Sequence, residues 1–108
     1  MSPGDQTRDW VYISDVIDGF LQALSMPQAI GGTFNLCSGI ETTLYDLALA
    51  IIAQMGSRIA VHRGSRPYRD GEIRRLVGDN SRAQTVLGWA PRVSLAEGLR
   101  RTIQATAI

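Results

Sequence analysis

The chain has 108 residues, of which 44% are apolar and 19% are charged, and its formal net charge is +1. This balance is typical of one folded domain; it argues against intrinsic disorder and gives no support to a strongly basic nucleic-acid-binding protein. A single cysteine, Cys37, and a single histidine, His62, exclude an internal disulfide and a zinc site built from several Cys and His side chains. All eleven basic residues are arginines, so mechanisms that need a lysine amine are excluded as well.

Strand-like and helix-like patterns alternate along the chain, without an internal repeat or a linker long enough to divide it. Strands are predicted where β-branched and aromatic residues cluster, and helices where apolar residues recur at helical spacing. The four predicted strands are Arg8–Ile13, Thr33–Cys37, Ile59–His62 and Ile73–Val77. The four predicted helices have their N-terminal caps at Ser14 or Asp15, at Thr43, at Asp79 or Asn80, and at Ser94. These patterns predict a single α/β domain over residues 1–108.

Charged side chains near two predicted strands are the candidates for ligand binding. Arg8 begins the first strand, and Arg69 and Glu72 come just before the strand that begins at Ile73. If these two strands pair, the two guanidinium groups reach one anion from two sides, which suits a diphosphate. Glu72 would then accept hydrogen bonds from a diol such as that of ribose.

The same charged side chains, and the single cysteine, also have simpler interpretations that involve no binding site. In the alternative to a binding site, Arg8 pairs with Asp5 or Asp9, and Arg69 pairs with Asp70, as surface ion pairs that contribute little. No hydrolytic triad is present, and a cysteine within an apolar strand behaves as a small hydrophobic side chain.

Five sequence motifs follow one another along nearly the whole chain. They are Gly4-x-x-x-Arg8-Asp9-Trp10-Val11-Tyr12-Ile13-x-Asp15-Val16, Thr33-Phe34-Asn35-Leu36-Cys37-Ser38-Gly39, Arg69-Asp70-Gly71-Glu72-Ile73-Arg74, Asp79-Asn80-Ser81-Arg82-Ala83, and Leu87-Gly88-Trp89-x-Pro91 with Ser94-Leu95-x-Glu97-Gly98-Leu99. In this order they resemble the C-terminal part of the extended short-chain dehydrogenase/reductases, the NAD-dependent epimerase/dehydratase family that acts on nucleotide sugars.

The resemblance implies that the chain is a truncated substrate-binding lobe without the Rossmann core. Arg8 and Arg69 match the two arginines that contact the diphosphate in this family, and Glu72 matches the acidic residue that binds the ribose. Arg66 offers an alternative register for the second arginine, and Asp15 matches a position interpreted as a helix cap. Trp10 and Trp89 are expected to pack in the core instead of stacking on a base, an expectation that comes from their positions in the motifs.

Complete members of the family also carry a Gly-rich dinucleotide loop and a catalytic Tyr-x-x-x-Lys pair, and neither pattern is in this sequence. The resemblance therefore implies NAD(P) for a full-length relative, no cofactor for this chain alone, and no turnover by this chain alone. Its expected partners are a nucleoside diphosphate sugar and either a second copy of the chain, because Thr33–Cys37 is an edge strand in need of a partner, or a missing Rossmann half. The alternatives are a non-enzymatic oligomerising module and one half of a split enzyme.

The chain is expected to be cytoplasmic and to have no membrane partner. No apolar run is long enough to cross a bilayer. The N-terminal residues Met1–Asp5 lack the basic-then-apolar pattern of a secretory signal.

Overall fold

A computed structural model, which describes residues 1–106, shows a mixed α/β fold with one small sheet. In chain order the elements are β1 (Thr7–Asp9), α1 (Ile13–Ser25), a 3₁₀ turn (Pro27–Ala29), β2 (Glu41–Thr43), α2 (Leu44–Met55), a π-helical segment (Ala83–Leu87) and α3 (Leu95–Thr106). The two strands are antiparallel, with Arg8 opposite Thr42. The predicted α/β class and the four helical regions are confirmed.

The predicted caps of α2 and α3 form. The Thr43 hydroxyl oxygen accepts a hydrogen bond from the backbone N–H of Asp46 at 3.0 Å, and Gly56 ends α2 in the left-handed region at a φ of 61°. Ser94 accepts from the backbone N–H of Glu97 at 3.2 Å, which is one half of the predicted capping box. These helices begin where local side-chain chemistry satisfies their first free N–H groups.

The buried core lies where the π-helical segment and the residues after it meet α1. Ala83, Leu87 and Trp89 are between 0% and 2% exposed, and Trp89 donates its indole N–H to the backbone carbonyl of Asp15 at 2.7 Å. The expected core position of Trp89 is therefore confirmed. Trp10 is half-buried and lines an apolar groove of about 280 Å³ between α2 and α3.

The predicted strands are the main difference from expectation. The first strand begins one residue earlier than predicted and ends at Asp9 instead of Ile13. The predicted strands Thr33–Cys37, Ile59–His62 and Ile73–Val77 are not formed. The last of these does run beside β1, since the Thr7 N–H donates to the carbonyl of Arg74 at 2.9 Å. A strand needs a continuous ladder of backbone partners, and apolar side chains alone do not supply one.

The cap of α1 expected at Ser14 or Asp15 is not formed, because the helix already begins at Ile13. Asp15 has a different role. Its side chain is 1% exposed, and its carboxylate accepts the backbone N–H groups of Arg92 at 3.1 Å and Val93 at 3.0 Å. Asp15 therefore ties the first turn of α1 to the segment that leads into α3. Among residues 1–106, no helix is long and apolar enough to cross a membrane.

Candidate functional site

A cleft of about 260 Å³ lies between the N-terminal segment and the loop before Ile73. We call it the arginine cleft, because two of its lining side chains are arginines. It is lined by Ser2, Gln6, Leu44, Arg66, Pro67, Tyr68, Arg69 and Glu72. Two of the three predicted site residues, Arg69 and Glu72, are thus in its wall.

Glu72 is fixed in this wall by two donors. The Gln6 amide N–H and the Arg8 Nη2 group both donate to Oε1 of Glu72, each at 3.3 Å. The Arg8 and Glu72 side chains are 25% and 20% exposed, so this ion pair is partly shielded from water. The second carboxylate oxygen of Glu72 has no hydrogen-bond partner among the described residues, which leaves one acceptor for a ligand.

Arg8 contacts Glu72 but does not line the arginine cleft. Its Nη1 group donates to the backbone carbonyls of Thr7 at 2.7 Å and Ile73 at 2.8 Å. These bonds bring β1 next to the segment at Ile73, as the pairing hypothesis required, and they occupy much of the guanidinium fork. Arg8 therefore contacts the Glu72 carboxylate from outside the lining of the arginine cleft.

Arg66 and Arg69 present exposed guanidinium groups at the cleft. Within residues 1–106, neither side chain takes part in an ion pair, so the suggested pair of Arg69 with Asp70 is not formed. The backbone N–H of Glu72 donates to the carbonyl of Arg69 at 3.0 Å, so these two residues close one turn. Gly71 adopts a φ of 73° in this turn, which a side chain would disfavour.

The loop that carries these arginines is held against the N-terminal segment. Arg63 donates to the carbonyl of Pro3 at 2.8 Å and pairs with Asp5 at 2.6 Å. The Tyr68 hydroxyl oxygen accepts from the backbone N–H of Asp5 at 3.3 Å, and the Arg74 guanidinium lies 3.1 Å from the Tyr68 ring centre. Contacts between residues about sixty positions apart therefore build the cleft.

Asp9, considered from the sequence as a partner for Arg8, has a different role. Its carboxylate accepts the Ser38 hydroxyl at 2.6 Å and the backbone N–H groups of Ser38, Gly39 and Gly78 at 2.7 to 3.1 Å. Partial burial acts to raise the pKa of Asp9, but these hydrogen bonds outweigh it and hold the pKa below its ordinary value of 3.8. Asp9 therefore organises the loops around β1, a role that could not be inferred from the sequence because its partners lie about 30 and 70 positions away.

Cys37 and His62 take no part in the cleft lining. Burial, with the nearby charges of Asp9 and Asp79, raises the pKa of the Cys37 thiol, which favours its protonated form. Gln6 was not singled out from the sequence, although it is only 3% exposed and holds Glu72. Gln6 falls at an unspecified position between Gly4 and Arg8 in the first motif, so the motif did not point to it.

The geometry suits an anionic ligand that also carries hydroxyl groups. Two unpaired guanidinium groups bind oxygens of a phosphate, and a fixed carboxylate oxygen accepts from a hydroxyl. Among the described residues, no group of three or more His, Cys, Asp or Glu side chains is arranged to hold a metal ion.

Comparison with known proteins shows which enzymes this chain is similar to. The chain is 41% identical over 101 residues to the UDP-glucose 4-epimerase of Mycolicibacterium smegmatis, covering 94% of this chain and 31% of the relative. It resembles the solved structure of the UDP-glucose 4-epimerase of Thermotoga maritima with UDP-glucose, with a TM-score of 0.83, 33% identity, and coverage of 94% of this chain and 31% of that one. The structure of RMD from Pseudomonas aeruginosa complexed with NADPH gives a TM-score of 0.83 at 26% identity, over 96% of this chain and 34% of that one.

The chain therefore corresponds to a part of the enzymes that modify nucleotide sugars, and it spans about a third of their length. Residues 1–102 match the family described as GDP-mannose 4,6 dehydratase. Because this match covers nearly all of the sequence, the chain belongs to that family. The resemblance seen in the five motifs is confirmed at the level of the family.

Proposed function

We propose that the chain is the C-terminal, substrate-binding part of such an enzyme and that it binds a nucleoside diphosphate sugar in the arginine cleft. The observation that carries this proposal is one wall that presents two free guanidinium groups next to Glu72. Relatives crystallised with UDP-glucose or UDP support this class of ligand.

The roles follow from the contacts. Arg69, with Arg66 beside it, binds the diphosphate, because both guanidinium groups are free and line the cleft. Glu72 uses its second carboxylate oxygen to accept from the ribose. Arg8 was expected to contact the diphosphate directly; we propose that it contributes positive charge and fixes Glu72, since a direct contact requires it to release its present partners.

We expect no turnover by these residues alone. The family's reaction exchanges a hydride between the sugar and NAD(P), which requires a bound dinucleotide and a group to move the proton. The Gly-rich loop and the Tyr-x-x-x-Lys pair that supply these functions are not in this sequence. NAD(P) is therefore proposed only for a longer protein that contains this part, and the cytoplasmic location remains a prediction.

Calorimetric titration of the purified chain with UDP-glucose and with GDP-mannose tests the proposal. Arg69→Ala removes a charge-assisted bond worth about 1.5–3 kcal/mol, so the affinity should fall by about tenfold to one hundredfold. Arg58→Ala is the matched control, because Arg58 is exposed and lies outside the cleft lining.

Binding that is weakened about tenfold or more by Arg69→Ala and unchanged in Arg58→Ala supports a specific site. If neither nucleotide sugar releases or absorbs heat, or if both variants bind as tightly as the original chain, the proposal is wrong. In that case the alternative of a non-enzymatic interaction module is favoured, since the chain exposes many large apolar side chains. A split enzyme would instead gain binding only when a second polypeptide is added.

A further inference from the structure

A buried glutamine in the wall of the arginine cleft has one hydrogen-bonding atom without a partner. Gln6 is 3% exposed and lines this cleft. Its amide nitrogen, Nε2, donates to Oγ of Ser2 at 3.2 Å and to Oε1 of Glu72 at 3.3 Å. Among residues 1–106, no group donates to its amide oxygen, Oε1, although this oxygen is buried. A buried acceptor without a donor costs free energy, so such an atom in the wall of a binding cleft points to a donor on the ligand.

The orientation of the Gln6 amide follows from the chemistry of its neighbour. Glu72 forms an ion pair with Arg8, and an ionised carboxylate can only accept hydrogen bonds. The amide must therefore turn its nitrogen toward Glu72, since the reverse orientation would place two acceptors against each other. The nitrogen has two N–H groups, and Ser2 and Glu72 accept one each. The partners of the nitrogen thus fix the amide oxygen as the unpaired atom.

Two acceptors are therefore available next to each other in this wall. One is the second carboxylate oxygen of Glu72, which has no partner among the described residues. The other is Oε1 of Gln6, on the amide that is bonded to the same carboxylate. Two neighbouring acceptors are complementary to two neighbouring donors, and a vicinal diol supplies these as two hydroxyl groups. A ligand with only one hydroxyl at this place would leave one acceptor unpaired.

We propose that Gln6 is a specificity-determining residue of the arginine cleft: its amide oxygen accepts one ribose hydroxyl while Glu72 accepts the other, so that the site selects ribonucleotides against deoxyribonucleotides. This inference rests on the proposed binding of a nucleoside diphosphate sugar and extends it from one ribose contact to two. The Gln6 oxygen is shielded from water in the free chain, and the largely exposed loop at residues 66–69 shifts to admit the diol. A nucleotide that lacks one hydroxyl is rejected, because it leaves a polar group of the site unpaired.

Calorimetric titration of the chain with UDP, 2′-deoxy-UDP and 3′-deoxy-UDP tests this selection. Each analogue lacks one hydroxyl and is otherwise identical to UDP, and we expect both to bind the original chain at least about tenfold more weakly than UDP. Gln6→Met replaces the amide with an unbranched side chain that has no acceptor oxygen. In this variant the preference for UDP over one analogue should disappear, while the preference over the other, whose missing hydroxyl binds Glu72, should remain.

Arg69→Ala is the matched control for this comparison. It should weaken the binding of UDP and of both analogues by the same factor, since Arg69 is proposed to bind the diphosphate that all three ligands share. Circular dichroism verifies that Gln6→Met is folded, and Gln6→Leu, which also lacks the acceptor, takes its place if it is not.

The outcomes separate this inference from the proposed function. If UDP binds and both deoxy analogues bind as tightly, the cleft holds the nucleotide but the selection of a diol is refuted. If both preferences persist when Gln6 is replaced, Gln6 is not one of the two acceptors, and the inference is overturned. If UDP does not bind, or if Arg69→Ala does not weaken its binding, the proposed function fails and this inference fails with it.

Discussion

The buried carboxylate of Asp15 should contribute more to stability than any other acidic side chain on α1. It is 1% exposed, and its two oxygens accept the backbone N–H groups of Arg92 and Val93. Asp15→Ala leaves both backbone donors, whose hydrogen bonds are partly buried, without their carboxylate partner, and each donor left unsatisfied costs about 1–3 kcal/mol. We therefore expect the free energy of unfolding to fall by about 2–5 kcal/mol, a large share of the roughly 5–15 kcal/mol of a typical domain.

Urea unfolding followed by tryptophan fluorescence measures this change, since Trp89 is buried and donates to the Asp15 backbone. Asp18→Ala on the same helix is the control, because Asp18 is exposed and its loss should change the unfolding free energy by less than about 0.5 kcal/mol. If Asp15→Ala stays within about 0.5 kcal/mol of the original chain, the structural role assigned to this carboxylate is refuted.

Three further outcomes follow from the contacts. Gly19→Val should lower the free energy of unfolding by about 1–3 kcal/mol, because the new side chain collides with Leu36. Calorimetry measures this change, and an unchanged melting temperature would contradict the packing of α1 on Leu36. The pKa of Asp9 is lowered in the folded state, so its contribution to stability is complete above the unfolded-state pKa and is lost as the pH falls through the folded-state value. Urea unfolding at several pH values should therefore show that the free energy of unfolding falls less with decreasing pH in Asp9→Asn than in the original chain. An identical pH dependence in the two proteins would contradict this contribution of Asp9. Hydrogen bonds from Arg100 and Arg101 on α3 lower the pKa of Glu97 to about 2. An NMR titration should therefore show this pKa rising toward 4.5 in Arg100→Ala. An unchanged pKa would show that Arg100 and Glu97 do not pair in solution.

Helix ends could be predicted from the sequence because their determinants are local. The Thr43 cap, the Gly56 stop and the Ser94 cap each depend on residues within one turn, and each is found in the structure. The core position of Trp89 was also expected, on its place in a motif. The start of α1 is the exception, because this helix begins at Ile13 and its N-cap position, Tyr12, makes no side-chain cap hydrogen bond.

The strands could not be predicted in the same way, because strand pairing depends on distant partners. Thr33–Cys37 has the side-chain pattern of a strand, but its Cys37 carbonyl is bound by the side chain of Asn80 and not by a neighbouring strand. Asp15 shows the same limit, since its partners are 77 and 78 positions away. For the candidate site, the conjectured pairing of Arg8 with the segment before Ile73 correctly placed Glu72 beside Arg8. It did not indicate that Arg8 lies behind the carboxylate.

The role of Arg8 can be separated from that of Arg69 by a double-mutant cycle in nucleotide-sugar binding. If Arg8 acts by fixing Glu72, Arg8→Ala should weaken binding in the original chain and have little further effect in a Glu72→Gln background, because the group it positions has already been changed. Arg69→Ala should weaken binding by a similar factor in both backgrounds, since Arg69 is not bonded to Glu72 through its side chain. Calorimetric titration of the four combinations with each arginine gives both coupling energies. Equal and additive losses for Arg8 and Arg69 would show that Arg8 contacts the diphosphate directly, which requires its present bonds to Glu72 and Ile73 to break on binding.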